Sequence, residues 1–182
     1  PKGTFYIADE LVDILEYLIQ NNNEEFVADI LTSLLSLRKA TFDTGKIEFK
    51  SWNDYYYLLQ KIDRNTFIKK HAVLMLEVFT RILAKTFEYG SDIDIKEEKY
   101  RSADMYGMDY IKAQDAVYFD PDIVIIRQIL SLEKNLSNQD IKNILYKKLK
   151  PFGEHQVIQN LLCYYANMHL DDLDRSEEHT SE

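Results

Sequence analysis

Apolar positions recur along the chain at intervals of three and four, the period of an α-helix with one buried face. In ADELVDILEYLIQ (8–20), Leu11, Ile14, Leu15 and Leu18 fall on one stripe. The polar run NNNEE interrupts it. Asn23 is placed as an N-cap, and Glu24 and Glu25 stand in the next first turn, where the helix dipole favours anions. FVADILTSLLSL then sets Phe26, Ile30, Leu31, Leu34 and Leu37 on one face. Two helices joined by so short a polar link form an antiparallel hairpin.

ATFDTGKIEFKS (40–51) loses the helical period and reads as a loop with brief extended structure around Ile47 and Phe49. Ser51 and Asp54 make a capping-box-like start to a third helix carrying Trp52, Tyr55, Leu58, Leu59 and Ile62. A fourth is expected from about Asn65 to Tyr89. Leu74, Val78 and Ile82 form one row, Met75, Phe79 and Leu83 another beside it, and Gly90 is the stop. So wide a stripe reads as a helix packed on more than one neighbour. Residues 91–103 are charged without a clear period, and 104–119 are ambiguous because Gly107 weakens a helical face of Tyr106, Tyr110, Ala113 and Val117. Asp120-Pro121 restarts the pattern, an N-cap followed by Pro at the first helical position, leading into Ile123, Ile126, Ile129 and Leu130. Ser137 caps a shorter helix with Ile141, Ile144, Leu145 and Leu149, ending near Pro151. The last, from about Glu154 to Leu170, presents Val157, Leu161, Tyr165 and Met168.

The fold class predicted is all-α. Hairpins begin near residues 9, 52 and 121, a first interval of 43 residues and a second of 69. Setting aside a roughly 30-residue insertion at about 90–119 brings the second to about 39, and helical pairs every ~40–47 residues are the signature of HEAT- or armadillo-like solenoids. Each pair is one-sided, so stacking would supply the core. The alternative is an irregular helical bundle.

Composition agrees with a globular chain: 46% hydrophobic, 29% charged, and only 5 Gly and 3 Pro, too few for a structure built on tight β-turns. The net charge of −9 disfavours a general phosphate-backbone binder. Lone Cys163 forms no internal disulfide, which fits a reducing setting, and the expected location is cytoplasmic. No apolar run reaches the ~18–20 residues that span a bilayer, so no membrane partner is expected. The closing residues RSEEHTSE (175–182) resemble a short-read sequencing adapter translated in frame. They are set aside as a non-native read-through tail. The natural region is then 1–174, a single helical repeat region, and the expectation is that it is truncated at both ends.

Most catalytic templates fail. Gly3, Gly45, Gly90, Gly107 and Gly153 stand far apart, so no phosphate-cradling glycine loop exists. His155 and His169 are 14 residues apart, not the spacing of a helical zinc pair. Asp92 and Asp94 open like a calcium loop, but Lys96, Glu97 and Ala103 occupy positions that need a ligand, a Gly and a Glu. Asp171, Asp172 and Asp174 beside His169 read as a solvated acidic end. Neither metal nor cofactor is expected. Cys163 reads as packing. The basic pairs Lys69-Lys70 and KKLK (147–150) read as solvated helix faces.

Two constellations remain. RNTFIKKH places Arg64 and His71 seven apart, nearly on one helical face and about 10 Å apart along the axis. With Asn65, this resembles the Arg, polar residue, then His pattern of HEPN ribonucleases. The resemblance implies metal-independent RNA cleavage, with His71 as acid or base and Arg64 on the phosphate. Against it, the motif opens a helix, where Arg64 meets the positive end of the dipole. The run Tyr55-Tyr56-Tyr57 spreads three rings about 100° apart around a helix. One or two of them, with Trp52, are candidate interface anchors, tyrosine being large and rigid with a polar tip; packing against the 91–119 insertion is an equal contender.

The stretch LVDILEYLIQNNNEEFVADILTSLLSLRKA, followed by SWNDYYYLLQKI, resembles the helical-repeat portion of large bacterial multidomain proteins that carry a nucleotide-binding or nuclease module, many linked to phage defence. The resemblance covers roughly residues 8–89. It implies a scaffold or sensor that contacts a protein partner or neighbouring domains and performs no chemistry itself.

Overall fold

The computed structural model describes residues 3–36, 38–40, 47–49, 58–63, 66–90 and 121–166, and these are mostly helical. The chain divides into two compact units, Pro1–Val78 and Phe79–Glu182.

The first unit opens with the expected hairpin, α1 (Gly3–Gln20) and α2 (Glu24–Leu35), packed against each other. The asparagine run that joins them closes α1 by backbone geometry. Asn22 takes the left-handed conformation at φ 61°. That turns the chain so that Asn23 N–H donates to the Leu18 carbonyl at 2.9 Å and Asn22 N–H to that of Ile19 at 3.2 Å. These two bonds define a Schellman C-cap, with Asn supplying the left-handed residue usually given to Gly. Asn23 does stand at the N-cap of α2, but its side chain makes no cap bond and donates instead to the Asn21 carbonyl.

The buried faces are rotated from those the spacing suggests. On α1, Val12 and Leu15 are buried while Ile14 is exposed; on α2, Val27, Ala28, Leu31, Thr32 and Leu35 are buried while Phe26 points outward. Period alone fixes that a helix has an apolar face. Where apolar residues exceed one stripe, packing chooses which of them face inward. Leu37 lies outside the described residues.

A short antiparallel ladder follows, β1 (Arg38–Ala40) with β2 (Ile47–Phe49), Arg38 opposite Phe49 and Ala40 opposite Ile47. The extended structure expected around Ile47 and Phe49 is therefore present. Three-residue strands leave the class all-α.

After a helical turn, α3 (58–62), the chain enters α4 (Phe67–Lys70) through Thr66, at φ 63°. The single helix expected from about Asn65 to Tyr89 is broken. At His71, φ −110° and ψ 47° leave the helical region before α5 (Ala72–Gly90) begins. Leu59, Ile62, Phe67, Ile68, Met75 and Leu76 join the buried faces of α1 and α2 in this unit's core.

The second unit takes in the later turns of α5, where Phe79, Ile82 and Leu83 are buried, and α6 (Pro121–Ser131), which begins at the expected proline and buries Ile125, Ile126, Ile129 and Leu130. After a 3₁₀ turn at Glu133–Asn135, Ser137 opens α7 (138–152) with a full capping box. Ser137 Oγ accepts from Asp140 N–H at 3.1 Å, and Asp140 Oδ2 accepts from Ser137 N–H at 3.1 Å. Ile141–Tyr146 within it are π-helical, and the helix tightens to 3₁₀ at Lys150–Phe152. In an α-helix a strict four-residue spacing drifts by about 40° a step. Widening the turn counters that drift, and Ile141, Leu145 and Leu149 are all buried. α8 (Gln156–Tyr165) closes the described chain with Ile158, Leu161, Leu162 and Tyr165 buried. Burial, with the nearby Glu133 and Tyr164, pushes the Tyr165 phenol far up from its ordinary value. Cys163 is exposed rather than packed, a correction to its sequence reading.

Candidate functional site

Of the residues singled out for chemistry, His71 is described and has a defined setting. The break between α4 and α5 places it beside α1, where Glu16 stands at the edge of the buried Val12–Leu15 face. His71 Nε2–H donates to Glu16 Oε1 at 2.9 Å, and Lys70 Nζ donates to the same oxygen at 3.2 Å. The imidazole also packs on Phe67, ring centroids 4.7 Å apart and tilted by 54°. Its side chain is only 15% exposed, against 59% for Lys70.

The electrostatics follow from this geometry. Partial burial alone would raise the Glu16 carboxyl. The hydrogen bonds from His71 and Lys70, with their charges, more than offset it and hold Glu16 below its ordinary value. As the acceptor is a carboxylate, Nε2 must carry the proton, which leaves Nδ1 as the nitrogen able to exchange one in the neutral imidazole. A carboxylate-oriented imidazole can serve as an acid–base group. Equally, it is a hydrogen-bonded strut joining α1 to the start of α5.

Sequence reasoning missed Glu16. It lies 55 residues from His71 and belongs to no motif; its one signal is a carboxylate bordering an apolar helix face. Arg64 and Asn65, the other members of the ribonuclease-like pattern, lie outside the described residues. So do the proposed interface residues Trp52, Tyr55, Tyr56 and Tyr57, the insertion at 91–119 and the terminal acids Asp171, Asp172 and Asp174. Among the described residues no group of three His, Cys, Asp or Glu side chains could hold a metal ion. Nor is any described helix long and apolar enough to cross a membrane. His155 has the carboxylate of its chain neighbour Glu154 at 3.8 Å and is half-buried.

A different feature is more prominent on the surface. Ile14, Tyr17 and Phe26 are 53%, 65% and 57% exposed, all on the α1–α2 hairpin, and Val73 at the start of α5 is exposed as well.

Comparison with protein-family models, with curated proteins and with solved structures gives no match to this chain.

Proposed function

We propose that this chain is a short HEAT- or armadillo-like α-solenoid segment of a larger bacterial, cytoplasmic protein. In that reading it acts as a protein-interaction scaffold or sensor. One observation carries it: a well-packed helical hairpin leaves two large aromatic side chains, Tyr17 and Phe26, outside its core. Exposed apolar side chains gathered on one hairpin, rather than scattered singly, are what an interaction surface would present. The partner is another protein or a neighbouring domain, and a link to phage defence rests on the sequence resemblance alone.

The second reading, a metal-independent ribonuclease of the HEPN type using Arg64, Asn65 and His71, has one observation in its favour. Glu16 fixes the His71 ring as an acid–base catalyst requires. The scaffold reading is preferred because that ring is largely covered, with one nitrogen and one face already occupied.

Two measurements on the whole chain test the choice. In native-state hydrogen exchange, a solenoid opens hairpin by hairpin, giving separate protection levels for 9–37, 52–89 and 121–170. A single global level would refute stacking. In an RNA cleavage assay the chain leaves RNA intact. Cleavage that disappears in His71→Ala would make the protein a nuclease.

A further inference from the structure

The net charge is unevenly placed. Residues 3–36 contain seven carboxylates and no Lys, Arg or His. With the excess of two acids in 175–182, they account for the entire −9, and the rest of the chain is balanced at 21 acids against 21 bases. The exposed apolar side chains lie on this same acidic hairpin. Tyr17 is four residues before Asn21 and Phe26 three after Asn23, so both flank one turn, each within about 6 Å of it along its axis. Ile14 and Tyr17 are three apart, on one face of α1 with exposed Glu10 and Asp13, while exposed Glu24 opens α2.

We infer that the outer surface of the α1–α2 hairpin docks a cationic amphipathic helix of a partner protein. The partner's apolar face would cover Ile14, Tyr17 and Phe26, and its Lys and Arg would meet Glu10, Asp13 and Glu24. Charge selects this occupant. A second copy in a two-fold contact would set the same acidic surface against itself. Anionic lipid and nucleic acid are repelled for the same reason. A basic helix gains from both parts of the surface: aromatic side chains serve as anchors to be covered, and complementary charge steers and orients the partner. The inference rests on the scaffold reading and names the partner that reading leaves open.

The test is fluorescence anisotropy with the whole chain and three labelled 18-residue probes: an amphipathic Leu/Lys helix, its Leu/Glu counterpart, and a scrambled Leu/Lys peptide without an apolar face. The Leu/Lys helix is expected to bind, weakening as salt rises from 50 to 500 mM, and the other two to bind at least tenfold more weakly. Tyr17→Ser with Phe26→Ser, both surface changes checked by circular dichroism, should cost at least tenfold. Glu10→Gln with Asp13→Asn and Glu24→Gln should cost at least threefold and flatten the salt dependence. Equal binding of the scrambled or Leu/Glu probe, no binding at all, or unchanged affinity in the Tyr17/Phe26 variant overturns the inference. So does self-association in analytical ultracentrifugation that this variant abolishes, since a second copy would then be the occupant. Any of these can occur while hydrogen exchange still reports separate hairpins, which keeps failure of the partner distinct from failure of the scaffold.

Discussion

His71 Nε2–H and Glu16 Oε1 meet at 2.9 Å across 55 residues of sequence, tying the first helix to the break that precedes α5. Because Glu16 is held below the ordinary glutamate value of 4.5, the folded state favours its ionised form. The sign follows: its contribution is fully present above that value and is lost as pH falls through the lower, folded one. Glu16→Gln should therefore cost about 1 kcal/mol at pH 7, a figure kept small by the exposure of Lys70. Urea unfolding at pH 7 and pH 3 checks this. The difference from wild type should shrink at the lower pH, and an equal difference at both would show that the pair carries no charge-dependent stability.

Asn22 sits where the backbone needs a positive φ. Asn22→Gly should be neutral or stabilising by a few tenths of a kcal/mol, and Asn22→Val destabilising by about 1–2 kcal/mol, since a β-branched residue is strained in this region. Thermal melts of the two variants should separate in opposite directions. A valine variant as stable as wild type would mean the Schellman turn is not formed.

The capping box of α7 gives a third expectation. Ser137→Ala removes the acceptor for Asp140 N–H and should cost about 1 kcal/mol, whereas Ser137→Thr keeps it and should cost less than half as much. Chemical denaturation of both variants reads the difference directly.

Two buried threonines should answer differently to one substitution. Thr32 Oγ1 donates to the Ala28 carbonyl at 2.7 Å, while Thr80 Oγ1 has no hydrogen-bond partner among the described residues. Thr80→Val replaces an unsatisfied hydroxyl with a methyl of the same shape and should stabilise by about 1 kcal/mol; Thr32→Val should be neutral or cost up to about 1 kcal/mol. If both shift the denaturation midpoint alike, the Thr80 hydroxyl is satisfied in solution.

Local signals were legible where chemistry and position coincide. Asp120-Pro121 marked the start of α6, Ser137 the cap of α7, Gly90 the end of α5, and Ile47–Phe49 an extended segment. These features depend on a residue's own backbone preference and its neighbours within four positions. The outward turn of Phe26 and Ile14, the exposure of Cys163 and the break at His71 were not legible. Each is settled by which of several equally apolar faces meets a neighbour, or by a partner far away in sequence.

The sequence by itself determined that the described residues are mostly helical, where α2, α6 and α7 start, and that the net charge is negative, because helical period, capping and titratable groups are local properties. Only the tertiary structure decided that Glu16 is the partner of Lys70 and His71, and that Tyr17 and Phe26 stand outside on an acidic hairpin. Burial is a competition among all faces of the chain at once. Its outcome follows from the packed arrangement as a whole and is not contained in the period of any one segment.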